Sequence, residues 1–166
     1  MENIKIQKKI FVRRVKKDDW KYFRKWWKNT DLITLTSGDF TKYRDEQLYK
    51  WFLNMFVDKK SMNFIVLNEQ KIVIGHFVLE IKKNIAEYHV VIGNKKYIGR
   101  GYGTLINKKA IDIGFKKYKL NKIFLKVRPE NLRAKKSYEK VGFKKIAQRK
   151  YKNPNSPELI IMEIKK

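Results

Sequence analysis

Cysteine is absent from this 166-residue chain, and histidine occurs only as His76 and His89. Disulfides and cysteine-based metal sites are thereby excluded, and two histidines alone make a zinc site with the usual ligands hard to build. No metal is expected. Long apolar runs are missing as well: nothing approaches the ~20 residues that a membrane-spanning helix needs. Met1 to Lys9 is polar and basic, without the apolar centre of a signal peptide. A cytoplasmic protein is expected. Acidic residues are scarce, 16 against 41 Lys and Arg, which leaves a formal charge of +25.

That charge suggests a polyanionic partner, nucleic acid first among them. Its make-up weakens the suggestion. Lysine supplies most of it, in pairs spread along the chain such as Lys82-Lys83, Lys116-Lys117 and Lys144-Lys145, whereas recognition of bases and phosphates favours arginine's planar fork. Its distribution says more. Between Asp18 and Asp58 seven acids balance seven bases, so nearly all the net charge lies elsewhere, and a neutral N-terminal lobe joined to a basic remainder suggests two jobs.

The 43% apolar fraction predicts a folded globule, and the length fits one domain over residues 1–166. Ile10 to Val15 reads as a first strand. A helix follows from an Asp18-Asp19 cap to about Lys28, with Trp20, Phe23, Trp26 and Trp27 on one side, and a second spans about Asp45 to Phe56 with Leu48, Trp51, Phe52 and Met55 as its buried stripe. Between them lies a loop with Thr34, Thr36, Ser37, Gly38 and Asp39. Met62–Leu67 and Lys71–Ile81 form a hairpin, and Ala86–Ile92 adds a third antiparallel strand. The rest alternates: a helix to about Tyr118, a strand Lys122–Val127, a helix from Asn131 to Val141, and strands Phe143–Tyr151 and Leu159–Ile164 about a Pro154-Asn155-Ser156-Pro157 turn. A right-handed crossover therefore makes one parallel pair. The fold class is α/β, a mixed, mostly antiparallel sheet with helices on both faces.

The stretch that orders the whole is Val90-Val91-Ile92-Gly93 followed by Tyr97-Ile98-Gly99-Arg100-Gly101-Tyr102-Gly103-Thr104, a strand, a glycine-rich basic loop and a helix beginning near Gly101. Glycines at 99, 101 and 103 allow positive φ and close approach of a ligand, and a loop feeding a helix aims free N–H groups at one point. A phosphate suits that point. The simpler alternative is a strand-to-helix turn with no ligand.

The loop, together with Asn131-Leu132-Arg133-Ala134-Lys135-Lys136-Ser137-Tyr138-Glu139-Lys140-Val141-Gly142-Phe143, resembles the two signatures of the GNAT superfamily of acetyl-CoA-dependent N-acetyltransferases. The commonest form of the loop has Gln or Arg where this chain has Ile98, which reads as a branch marker. The resemblance implies a GNAT-like fold whose parallel strands splay apart. It implies that the pantetheine arm of acetyl-CoA pairs with Val91 and Ile92, and that the diphosphate sits on the N–H groups of Gly99, Arg100, Gly101, Tyr102, Gly103 and Thr104. Arg100, Lys95 and Lys96 are the side chains expected near its phosphates, and Asn131 is expected near the thioester.

Acetyl transfer needs a neutral amine, a stabilised oxyanion and a proton for the departing thiolate. Tyr138 holds the family's position for the acid, and a backbone N–H near Ile92 is the expected oxyanion donor. Glu87, two residues from His89 on one strand face, sits where relatives carry a base acting directly or through water; His89 is expected to be structural. Trp26, Trp27, Tyr43 and Asp39 are candidate walls for the acceptor. Similar branches act on ribosomal-protein N-termini, spermidine, aminoglycosides and amino sugars, and the positive field favours a protein N-terminus over a polycation. A monomer or homodimer is expected. The rival is a nucleic-acid or ribosome-binding module on a catalytically inactive scaffold of the same fold, with steep salt dependence.

Overall fold

β-Branched and aromatic runs, nearly continuous in β2 and β3 because both faces are covered, lay down the first half of the sheet. In the computed structural model, which describes residues 8–33, 41–150 and 158–166, β1 (Ile10–Arg14), β2 (Ser61–Asn68), β3 (Val73–Lys82) and β4 (Ile85–Val91) pair antiparallel in sequence order. The chain crosses over through α4 (Tyr102–Asp112) to β5 (Lys122–Val127), which lies parallel to β4. After α5 (Leu132–Glu139), β6 (Lys144–Arg149) and β7 (Leu159–Lys165) complete a seven-stranded mixed sheet of order β1-β2-β3-β4-β5-β7-β6. This is the architecture expected. The loop from Thr34 to Asp39 and the Pro154–Pro157 turn lie outside the described residues.

Register decides which side chains share a face. Phe64 opposite Phe77, and Leu79 opposite Tyr88, put those four on the face covered by α4 and α5, where Ile106, Leu125 and Tyr138 join the larger core. Ile65 opposite His76, and Val78 opposite His89, point the other way. That second face is covered by α1 (Trp20–Trp27), the short α2 (Thr30–Ile33) and α3 (Asp45–Val57), whose Phe23, Trp26, Leu32 and Phe52 pack with Ile65. Helices therefore stand on both faces.

Three local details depart from expectation, each for a physical reason. Asp19 does not open the first helix by capping it forwards: its carboxylate accepts the Lys16 N–H at 2.7 Å and both Arg13 guanidinium N–H groups at 2.7 Å, which closes a tight turn before α1 and ties it to β1. Asn29 accepts the N–H groups of Asp31 and Leu32, a cap that starts α2 inside a stretch expected to be loop. Past Asp112 the helix widens into a π-turn, Ile113–Lys117, where a Cβ on Gly114 would lie 2.7 Å from Ile123 Cδ1. A side chain there would have to push the Ile123 methyl aside, so glycine lets the turn sit close against β5.

Candidate active site

The site begins where the parallel pairing stops. β4 and β5 share register only from Ile85 opposite Lys122 to Glu87 opposite Phe124. Beyond that the strands part, and a cavity of about 610 Å³ fills the opening. The end of β4 borders it without a break, from Tyr88 through His89, Val90 and Val91 to Ile92.

Ile92 and the glycine loop form the next wall. Gly99 (φ 76°) and Gly101 (φ 86°) both line the cavity in the left-handed region, and nothing lies within 4 Å of where their Cβ atoms would be. Backbone conformation demands glycine at both. Gly103 corrects the sequence reading: it is an ordinary helical residue of α4, and a Cβ there would only touch Ile92 and Ser137 at about 3.8 Å. Its φ therefore does not require glycine; lining the cavity beside Thr104, its lack of a side chain keeps the helix N-terminus open. Tyr102 turns its ring inward and donates its hydroxyl to Glu69 at 2.9 Å. Only its main chain can serve a ligand. Arg100, Lys95 and Lys96 are not among the cavity-lining side chains, and Lys95 is paired with Asp31.

The cations that do line it stand elsewhere. Arg133, Lys136 and Lys140 recur along one side of α5, while Lys126 and Arg128 come from β5 and its end. No carboxylate lines the cavity among the described residues. Asn131 caps α5, its side-chain oxygen accepting the Ala134 N–H at 3.2 Å, and it too lines the cavity.

In this wall a partly buried hydrogen-bond chain of Tyr88, Asn107 and Ser137, all three lining the cavity, links three elements. Tyr88 Oη donates to Asn107 Oδ1 at 2.8 Å, Asn107 Nδ2 donates to Ser137 Oγ at 3.1 Å, and Ser137 donates to the Ala134 carbonyl at 2.8 Å. It locks α5 to α4 and β4, and so fixes Tyr138, which packs edge-on against Tyr88 and Phe143 and faces the cavity. Burial pushes the Tyr138 phenol well above its ordinary value, so it stays protonated. Sequence reading missed Asn107 and Ser137; an Asn and a Ser facing inward from two helices were the available signal.

Glu87 lies just outside the cavity, its carboxylate 3.0 Å from Lys126 Nζ and 3.7 Å from His89 Nε2. The candidate acceptor walls fare differently. Trp26 is 5% exposed within the second core, Trp27 packs edge-on against Phe23, and Tyr43 lies on Trp51; none lines the cavity, whereas Leu32 of α2 does. Asp39 is outside the described residues.

Comparison with known proteins bears on the family and the fold. The profile of the acetyltransferase (GNAT) domain family matches residues 9–144. No curated protein sequence matches the chain. Among solved structures, the spermidine N-acetyltransferase of Vibrio cholerae in complex with CoA and spermine superposes with a TM-score of 0.84 at 23% identity, over 94% of this chain and 95% of that one. A chimera of the Vibrio cholerae SpeG enzyme with hSSAT gives 0.81 at 23% identity, over 94% and 95%. A second such chimera gives 0.77 at 25%, again over 94% and 95%.

Proposed function

Because the chain belongs to the GNAT family of acetyl-CoA-dependent N-acetyltransferases, we propose that the opening between β4 and β5 is where it moves an acetyl group from acetyl-CoA to a primary amine, with Tyr138 as the acid. One observation carries this reading: a single cavity is lined by the splayed strand, the glycine loop, the α4 N-terminus and a buried, protonated tyrosine. The pantetheine arm pairs with Val91 and Ile92, the diphosphate rests on the N–H groups from Gly99 to Thr104, and Arg133, Lys136 and Lys140 neutralise the phosphates. Asn131 keeps its carboxamide N–H₂ for the cofactor near the thioester.

Tyr138 is not driven by acidity. A phenol is a weaker acid than a thiol even at ordinary values, about 10 against about 8.5, and burial widens the gap. It therefore passes its proton as the C–S bond breaks and is reprotonated by the ammonium of the tetrahedral adduct. The oxyanion rests on a backbone N–H near Ile92. Glu87, outside the cavity wall, serves deprotonation of the amine through a neighbouring group or water.

The acceptor meets the α1–α2 side at Leu32 and His89. Among the described residues the wall carries cations and no carboxylate, which disfavours a polyamine and favours a protein N-terminus or another singly charged amine. No helix among the described residues is long and apolar enough to cross a membrane.

Thermal unfolding with acetyl-CoA and with ATP, at low and near-physiological salt, tests the donor site first. Acetyl-CoA at a hundred times its dissociation constant adds about 2.7 kcal/mol, and this gain is expected to survive salt and exceed that of ATP. Equal, salt-labile shifts would instead fit the polyanion-binding rival. Tyr138→Phe is expected to lower kcat tenfold or more with near-normal acetyl-CoA binding; unchanged turnover removes Tyr138 from the mechanism.

A further inference from the structure

Two glycines at positive φ leave the peptide planes between them free to turn, and neither Gly99 nor Gly101 has a side chain to resist it. The groups that hold them stand outside the cavity. Glu69 lies in the turn between β2 and β3, which is pinned by Asn68: this residue is 1% exposed, and its Oδ1 accepts the N–H groups of Gln70 and Ile72 at 3.0 and 2.9 Å. The Tyr102 hydroxyl lies 2.9 Å from both Glu69 carboxylate oxygens and donates to them. That carboxyl is held below its usual range first by its own backbone N–H, and further by Tyr102, the Lys9 N–H and the charge of Lys8. Three segments therefore meet at Glu69: the β2–β3 turn, the residues before β1, and the first residue of α4.

Tyr102 is 3% exposed, with the Tyr97 ring edge-on at 5.4 Å and Lys8 Nζ 5.9 Å from its centroid. A ring so enclosed fixes its own Cα, and with it the peptide that joins Gly101 to Tyr102. Lys8 fixes the peptide before that one, because its Nζ donates to the Arg100 carbonyl at 2.6 Å. In a trans peptide the Gly101 N–H points away from that carbonyl, to the opposite side of the plane. Gly101 lines the cavity and Arg100 does not. No side chain caps α4, so the N–H groups of its first turn stay open beside it.

On the reading of this loop as the seat of the acetyl-CoA diphosphate, we propose that Glu69 and Lys8 are positioning residues for the donor. Glu69 acts through the Tyr102 hydroxyl and Lys8 through the Arg100 carbonyl, and together they hold the two peptides on either side of Gly101 so that their N–H groups face the phosphates. Neither residue lines the cavity. Without them the glycines sample other conformations, and the diphosphate has to order the loop as it binds. Affinity then falls by the cost of that ordering.

Titration of acetyl-CoA into variants, with the Gly101 amide followed by NMR, tests this. Glu69→Ala is expected to weaken binding about tenfold, the loss of a hydrogen bond to a charged group. Glu69→Gln keeps an acceptor for the Tyr102 hydroxyl and should restore affinity to within about threefold of wild type. Lys8→Met is expected to weaken it about threefold, while Lys95→Gln, which removes the same charge off the cavity wall, leaves it nearly unmoved. In the wild type, acetyl-CoA should move the Gly101 amide proton downfield, as donation to a phosphate does. In Glu69→Ala and Lys8→Met saturated with acetyl-CoA, that movement should be clearly smaller.

Unchanged affinity in Glu69→Ala and Lys8→Met overturns the proposal. So does weakened affinity with a Gly101 amide that moves in full at saturation, which assigns both residues to the fold alone, and so does an equal loss in Lys8→Met and Lys95→Gln, which assigns Lys8 to the overall field. Lys8 is exposed and outside the core, so its variant decides the matter should Glu69→Ala fail to fold. If the wild type binds acetyl-CoA no better than ATP, or its Gly101 amide does not respond, the loop is not the seat of the diphosphate and the donor-site reading itself fails. That result is distinct from a wild type that responds and variants that match it.

Discussion

The two faces of the sheet treat their buried polar groups in opposite ways. On the α4–α5 face Tyr88, Asn107 and Ser137 satisfy one another and end on a backbone carbonyl, so each donor has an acceptor within 3.1 Å. On the α1–α3 face His76 lies between Phe23 and Trp26, stacked on the indole at 5.9 Å, and its Nδ1 has no partner among the described residues. A satisfied network rigidifies; an imidazole under aromatic rings is cheap to bury only while neutral. The α4–α5 face is therefore built to hold position at any moderate pH, and the α1–α3 face is built to respond to protons.

The largest effect that sharpens this contrast is the loss of stability in acid. His76 titrates at about 4 in the fold, because burial disfavours its charged form, and at about 6.5 unfolded. Between those values the unfolded chain binds the extra proton, so stability falls as pH is lowered from 6.5 and the loss is complete near 4. The span corresponds to about 3 kcal/mol. Denaturant melts of wild type and His76→Gln across that window should show the wild type losing about 3 kcal/mol more than the variant; parallel curves would break the contrast.

Next in size is the network on the other face. Asn107→Ala removes two hydrogen bonds and strands the Tyr88 hydroxyl, which burial already keeps protonated. A cost of about 1–3 kcal/mol is expected. It should be the same at pH 4 and pH 7, since no member of the network titrates in that range. A pH-dependent cost would show that the two faces are coupled through β4.

The same contrast explains what could be read from the sequence. The glycine loop and the Asn131–Phe143 segment are local patterns, so the strand-loop-helix element was legible from the residues, while Asn131 and Tyr138 were singled out by the family resemblance that those patterns carry. Asn107 and Ser137 were not, because they are thirty residues apart and only the crossover through β5 brings them within hydrogen-bond distance. The acceptor side was misread for another reason. Trp26 and Trp27 look alike on a helical stripe whether they line a pocket or fill a core, and here they fill a core around His76 and Ile65. Periodicity fixes which side of a helix is buried, not what it is buried against. Likewise Glu87 and His89 share a face by alternation, but only the extent of pairing between β4 and β5 decides which of them borders the opening.

The smallest expected effect concerns the cationic stripe on α5. Lys136 and Lys140 line the cavity one helical turn apart, exposed enough that each contributes only screened Coulomb attraction to an anionic ligand. Changing either to Gln should weaken acetyl-CoA binding a few-fold at low salt and less near physiological salt, while leaving kcat for bound substrate unaltered. The same change at Lys95, paired with Asp31 across the loop and off the cavity wall, should leave affinity nearly unmoved. Titrating acetyl-CoA into the three variants at two salt concentrations separates them. If Lys95→Gln weakens binding as much as Lys136→Gln does, then the ligand responds to the overall field of a +25 chain. In that case α5 offers it no particular seat, and the cofactor face owes its specificity to the glycine loop and the α4 N-terminus alone.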